Sequence, residues 1–163
     1  NPNQGYGAAL RSGFYNSQYE WIVFTDSDGQ FDFSEVDRLI EKSAGADMVV
    51  GYRINRQDSL IRKIFGWGWT LLANLLLGLK VKDIDCAFKL TKKEVVDKIS
   101  KLQSSRGAMI SPELVGKARK AGFKIAEVGV HHYPRKEGKS TGADFRVIFK
   151  SFVDLGKLWW QIK

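Results

Sequence analysis

A run of large apolar residues, Trp21-Ile22-Val23-Phe24, passes through Thr25 directly into Asp26-Ser27-Asp28-Gly29. An apolar run bounded by turn residues predicts a buried strand. A strand that ends on two carboxylates brings hard oxygen donors to one edge of a sheet, which suits Mg²⁺ or Mn²⁺, with Gln30 close enough to join. An ion held there would bridge a diphosphate and neutralise its charge as it leaves. The plain alternative is an Asp-Gly turn that binds nothing.

The rest of the chain alternates helical and strand patterns, which predicts an α/β layer architecture with a mainly parallel sheet flanked by helices. Ligands of such sheets gather at the carboxyl ends of strands. Ser34 and Asp37 resemble a capping box ahead of a short helix whose buried face is Val36, Leu39 and Ile40. Asp47 to Gly51 reads as a strand and Leu60 to Leu79 as a helix. Phe65, Trp69, Leu72 and Leu76 share one face of it, while Trp67, Leu71 and Leu75 make the other side apolar too. Cys86 to Leu90 is a strand candidate, followed by a helix burying Val95, Ile99 and Leu102, with Glu94 paired to Lys98. Ser111-Pro112 is expected to open another helix, with Ser as N-cap, closed by Gly122. Ile125 to Val130 alternates as a half-exposed strand.

With 163 residues, 44% of them hydrophobic, the chain can bury one substantial core, and it has neither repeats nor low-complexity linkers. The formal charge of +8 favours an anionic partner: phosphate, lipid headgroup or nucleic acid. Its one cysteine, Cys86, excludes an intrachain disulfide and lies in an apolar stretch as a packed thiol. The start, Asn1-Pro2-Asn3-Gln4, lacks the basic head and apolar run of a signal peptide. The longest uncharged stretch, Ile64 to Leu79, has 16 residues, whereas a spanning helix needs about 20.

Three further segments bear on chemistry. Arg53, Arg56, Arg62 and Lys63 follow a strand within eleven residues, and guanidinium forks bind phosphate oxygens. Beside a helix apolar on both sides they suggest a phospholipid-like ligand; a solvated basic loop is the alternative. His131 and His132, adjacent on a strand, point to opposite faces and cannot chelate one zinc ion. Arg135 to Gly142, with Lys139 in its middle, has the charge and glycines of a loop that folds over a diphosphate, or of an unremarkable surface loop. Asp144 to Lys163 carries Phe145, Ile148, Phe149, Phe152, Leu155 and Trp159 on an apolar stripe among Arg146, Lys150 and Lys157. That pattern fits a membrane-interfacial helix and a core-packed one equally.

Taken together, Thr25-Asp26-Ser27-Asp28-Gly29-Gln30, Gly51-Tyr52-Arg53, Asp83 through Leu90, Ser111-Pro112-Glu113-Leu114 and Tyr133-Pro134-Arg135 through Gly138-Lys139-Ser140 resemble glycosyltransferase family 2 on a GT-A fold, near the polyprenyl-phosphate sugar transferases of dolichyl-phosphate mannosyltransferase type. The resemblance implies a GT-A catalytic portion over residues 1–143, incomplete at its N-terminus, and an amphipathic, membrane-interfacial helix over 144–163. The chain opens at the Asn-x-Gly-x-Gly-x-Ala segment, which relatives reach only after about two strands and their helices. Asp26, Asp28 and Gln30 would hold Mg²⁺ or Mn²⁺ on the diphosphate of a nucleotide sugar. Arg53 and Arg62 would contact the phosphate of a lipid-linked acceptor, with Arg56 in the same basic cluster, while Arg135 and Lys139 would steady the donor diphosphate.

An anionic acceptor phosphate attacks the anomeric carbon, with inversion, without a general base. Transfer to a saccharide hydroxyl would need one, and Glu113 or Asp85 is then the candidate; both otherwise read as structural, Glu113 in the first turn of a helix and Asp85 as an anchor before a strand. The leading expectation is therefore a metal-dependent enzyme moving a sugar from a nucleotide diphosphate to a polyprenyl phosphate, cytoplasmic and peripheral at the inner face of a membrane. Glycan assembly on a hydroxyl is the alternative. A basic nucleic-acid module ranks last, because the cations do not interleave with an aromatic platform.

Overall fold

The computed structural model describes residues 4–104, 107–134 and 145–163. In chain order the elements are α1 (Tyr6–Asn16), β1 (Trp21–Phe24), α2 (Val36–Lys42), β2 (Met48–Ile54), α3 (Leu60–Leu77), β3 (Lys89–Lys92), α4 (Lys93–Lys98), α5 (Gly107–Lys120), β4 (Ile125–His131) and α6 (Phe145–Ile162). The strands form one sheet in the order β1-β3-β2-β4.

The expected α/β layering is present, but the sheet is mixed rather than mainly parallel. β3 pairs antiparallel with both β1 and β2, and only β2 and β4 pair in parallel. The cause is the connection after α3. Residues 78–88 carry the chain back to the carboxyl end of β2, where Asp83 binds Arg53, so β3 enters from that end and runs against its neighbours. β1, β2 and β4 still point the same way, and their carboxyl ends share one edge.

Alternation within the strands divides the core between the two faces. Ile22, Phe24, Met48 and Val50 pack with Phe14, Trp69, Ala73, Leu114, Val115, Leu155 and Leu158 from the helices. Val49, Leu90 and Val130 pack on the other face with Leu39, Cys86 and Phe88. The last helix thus contributes to the same core as the sheet, while its Phe152, Val153 and Trp160 are exposed.

Several local expectations shift. The strand expected at Cys86 to Leu90 begins at Lys89, because residues 83–86 close a turn, Cys86 N–H donating to Asp83 O, and the Lys89 ammonium folds back onto the Ile84 and Cys86 carbonyls. Gly51 allows this turn to lie against β2: a Cβ there would sit 2.6 Å from Phe88 O. The helix expected to bury Val95, Ile99 and Leu102 ends at Lys98, although all three side chains are buried and the Glu94 to Lys98 pair forms. Ser34 and Asp37 do not build a capping box; Asp32 caps instead, accepting from Ser34 N–H, and Ile40 is exposed.

The largest shift is in α5. It begins at Gly107, so Pro112 lies inside it, and Ser111, expected as N-cap, is buried with its hydroxyl 3.1 Å from Lys89 Nζ. Glu113 is accordingly in the second turn rather than the first.

Candidate active site

The acidic end of β1 is built from three directions. Asp26 Oδ1 accepts a 2.6 Å hydrogen bond from the Tyr6 hydroxyl of α1. Burial and the Asp26 carboxylate hold the Tyr6 phenol far above its ordinary pKa, so it remains a donor. Asp28 Oδ1 accepts from Gln30 N–H at 3.1 Å, closing the turn, with Gly29 at φ 75°. Gln30 is tied to the end of β4: its side-chain amide nitrogen lies 3.1 Å from His132 Nε2 and 3.3 Å from Tyr133 O, and its backbone carbonyl accepts from Tyr133 N–H. An amide nitrogen only donates, so His132 Nε2 accepts and the ring proton sits on Nδ1. Burial and the Arg53 charge lower the His132 pKa and keep the ring neutral.

Asp26, Asp28 and Gln30 are all oxygen donors on one strand end, which fits Mg²⁺ or Mn²⁺. These ions bind through one or two carboxylates plus substrate phosphates rather than a complete protein cage. Among the described residues no three His, Cys, Asp or Glu side chains form a preformed cluster. The buried Thr25 Oγ1 and His132 Nδ1, one preceding the turn and the other joined to it through Gln30, make no hydrogen bond among the described residues, so the surroundings are polar enough for an ionic ligand.

The arginines converge on the same edge, near enough for the Arg53 and Arg56 charges to act on His132. Arg53 forms a two-pronged pair with Asp83, Nε to Oδ2 at 2.6 Å and Nη2 to Oδ1 at 2.8 Å. Burial works against the Arg53 charge, but Asp83 outweighs it and raises its pKa; Asp83 is correspondingly lowered despite its own burial. Asp58 faces all three guanidiniums: Arg56 Nε at 2.6 Å, Arg62 Nη1 at 3.4 Å and Arg53 Nη1 at 3.9 Å. Beside them, the Ser59 hydroxyl caps α3, and a helix N-terminus adds favourable potential for an anion.

The candidate bases are placed differently. Glu113 is buried and fully engaged, accepting from Gln103 N–H and Ser104 N–H, each at 2.8 Å, and from Lys117 Nζ at 2.6 Å. Burial opposes its charge, but Lys117 and those donors hold its pKa below the usual value. Asp85 accepts from Trp69 Nε1 at 3.1 Å, and burial with the neighbouring Asp83 charge pushes its carboxyl up to about 6. Burial raises the Cys86 thiol to about 11, as suits a packed thiol. His131, on the opposite face from His132, donates through Nδ1 to Glu35 at 2.8 Å. Arg135 and Lys139 lie outside the described residues.

Sequence reading missed Tyr6, Asp58, Asp83 as the Arg53 partner, and His132. Two local signals existed: the strand alternation that puts His131 and His132 on opposite faces, and the place of Asp58 within five residues of Arg53, Arg56 and Arg62. The Tyr6 to Asp26 and Arg53 to Asp83 contacts join residues far apart in the chain.

Solved structures with the same architecture define the class. Glucosyl-3-phosphoglycerate synthase from Mycobacterium tuberculosis, in complex with Mg²⁺ and uridine-diphosphate, superposes with a TM-score of 0.66 at 13% identity, covering 93% of this chain and 54% of that one. Its complex with Mn²⁺, uridine-diphosphate-glucose and phosphoglyceric acid gives 0.64 at 18% identity, with 93% and 55% coverage. The fold is GT-A.

Residues 1–100 match the family model for glycosyl transferase family 2, and the chain belongs to that family. Similar curated proteins include undecaprenyl-phosphate 4-deoxy-4-formamido-L-arabinose transferase of Pseudomonas fluorescens (strain SBW25), 30% identical across 93% of this chain and 43% of that protein. Dodecaprenyl-phosphate galacturonate synthase of Rhizobium johnstonii is 28% identical across 90% of this chain and 44% of that protein. The chain spans less than half the length of these relatives.

Proposed function

We propose that the complete protein transfers a sugar from a nucleotide diphosphate sugar to a polyprenyl phosphate at a membrane surface. The observation that carries this reading is the adjacency, on one sheet edge, of an oxygen-donor turn and an arginine cluster. Asp26, Asp28 and Gln30 suit a divalent ion on the donor diphosphate. Arg53, Arg56 and Arg62 suit the acceptor phosphate, and the names of the similar proteins point to the same acceptor class.

The residues have separate tasks in this reading. Asp26 and Asp28 would hold the ion, and Tyr6 orients Asp26. When bound, the ion supplies Lewis-acid neutralisation of the diphosphate. The arginines orient the acceptor phosphate and offset its charge as it approaches. Its oxygen is already anionic, so no side chain needs to remove a proton, which agrees with a Glu113 committed to Lys117 and two backbone amides. Arg135 and Lys139 are proposed to steady the donor diphosphate.

The basic edge also fits a membrane-bound acceptor. No helix among the described residues is long and apolar enough to cross a membrane. α3 instead exposes Leu60, Ile64, Trp67, Leu71 and Leu75 along one stripe that starts beside Arg62, and Trp with basic residues at an apolar helix face suits an interface. Docking through that stripe would bring the arginines to headgroup level, peripheral at the inner face.

Transfer from a nucleotide sugar to a short-chain polyprenyl phosphate by the complete protein, compared with Asp28→Asn, tests the proposal. Activity that falls at least about a hundredfold supports it; equal rates reject the metal assignment. One observation favours the hydroxyl-acceptor alternative, namely Asp85 with its pKa near 6. Asp85→Asn abolishing transfer while acceptor binding persists would select it.

A further inference from the structure

Gly66 occupies the seventh position of α3, an 18-residue helix. Glycine in a helix interior is poorer than alanine, so its presence there calls for a physical reason. Here the reason is a guanidinium. A Cβ on Gly66 would lie 2.7 Å from Arg56 Nη1, 3.1 Å from Nη2 and 3.3 Å from Cζ. Both Nη atoms are nearer that position than Cζ is, so Arg56 turns its Nη1–Nη2 edge toward the helix, into the space a side chain would fill. Gly68, two positions further along the same helix, has nothing within 4 Å of its Cβ position, so the crowding is specific to Gly66.

Asp58 is the other half of the arrangement. Its carboxylate is almost entirely enclosed, with 6% side-chain exposure, and three guanidiniums from different elements face it. Three like charges brought this close repel unless a carboxylate lies among them, and the Arg56, Arg62 and Arg53 charges in turn hold the Asp58 pKa down against its own burial. The Asp58 to Arg56 bond uses Nε. The Nη1–Nη2 edge, the fork that grips phosphate, is unused by that pair. Arg53, by contrast, gives both Nε and Nη2 to Asp83. Arg56 is thus held through Nε alone, with its Nη1–Nη2 edge turned into the notch at Gly66.

We infer that Asp58 and Gly66 are positioning residues for phosphate recognition: Asp58 gathers the three arginines, and the missing side chain of Gly66 leaves the notch that seats Arg56 among them. The inference rests on the acceptor-phosphate reading given above and assigns how that site is assembled. A residue larger than glycine at position 66 would expel Arg56 without harming the fold, because the atoms that must move are the end of a flexible side chain and alanine is the better helix former.

The test is a double-mutant cycle on the complete protein with Gly66→Ala, Arg56→Ala and the double variant, with Gly68→Ala as control and Asp58→Asn as a second probe. Gly66→Ala is expected to raise the KM for a short-chain prenyl monophosphate about tenfold, with unchanged melting temperature and nucleotide-sugar KM. In the Arg56→Ala background the same substitution changes the acceptor KM less than about twofold, the non-additivity of residues acting as a unit. Gly68→Ala has no effect, and Asp58→Asn raises the acceptor KM more than Gly66→Ala.

An equal effect of Gly66→Ala in both backgrounds, or none in the wild type, overturns the inference. Calorimetric binding of the prenyl monophosphate separates this failure from that of the transferase reading. The same pattern in affinity without sugar transfer overturns the transferase and keeps the phosphate site. Transfer with affinity insensitive to Gly66→Ala overturns the inference alone.

Discussion

Gln30 and His132 are 102 positions apart, yet the Gln30 amide nitrogen lies 3.1 Å from His132 Nε2. With Tyr133 O at 3.3 Å, both hydrogens of that amide have acceptors, so its oxygen end faces away from β4. The end of the last strand thereby sets the orientation of a residue on the turn after the first.

His132→Leu removes one acceptor and lets the amide rotate. Under the proposed metal assignment, the Mn²⁺ concentration for half-maximal activity rises about fivefold, as expected for loss of an outer-sphere partner. Mn²⁺ affinity of the protein without donor, measured by electron paramagnetic resonance, weakens by a similar factor. Unchanged affinity would show that Tyr133 O alone holds the amide.

Glu113 is a stability residue in this structure. Removing it by Glu113→Ala leaves the buried Lys117 ammonium with the Lys101 carbonyl but without its carboxylate, a change that costs about 3–5 kcal/mol and is read as a lower denaturant midpoint. The pH dependence has a definite sign. The folded pKa lies below the ordinary 4.5, so the contribution is complete above that value and is lost as pH falls through the folded pKa. The stability difference between wild type and Glu113→Ala should therefore narrow in acid.

Asp85 behaves oppositely. Its folded pKa of about 6 exceeds the ordinary 3.8, so the charged form burdens the fold at neutral pH and protonation below about 6 relieves it. Asp85→Asn, which keeps an acceptor for Trp69, should raise stability at pH 7.5 by about 1–3 kcal/mol. Near pH 4 the two melting temperatures should converge.

The exposed stripe of α3 gives a membrane prediction independent of catalysis. Leu71 and Leu75 are 43% and 73% exposed, so replacing both with Glu leaves the core intact. Cosedimentation with phosphatidylglycerol vesicles should drop at least about fivefold, while thermal stability changes little. Retained binding would move the contact to another surface.

The strand at Trp21 to Phe24, its acidic turn, the basic run from Arg53 and the length of α3 were all legible because each is a local pattern. Burial period, turn chemistry and charge density are properties of a few adjacent residues. The same local reading placed β3 three residues early, because the fold-back of Lys89 onto the 84–86 carbonyls leaves no periodic trace. It also put Ser111 and Pro112 at a helix start, since a proline inside a helix is disfavoured locally and is tolerated in α5 only in its packed context.

What the sequence by itself determined is therefore the inventory: an α/β layered chain with oxygen donors after one strand, guanidiniums after another, and enough apolar surface for one core. The tertiary structure alone decided who meets whom. The reversal of β3, the Arg53 to Asp83 pair, the Tyr6 to Asp26 bond and the Gln30 to His132 contact arise from the path the chain takes between elements. Electrostatic and hydrogen-bond partners act through space over a few ångströms, and spacing along the chain does not encode that proximity.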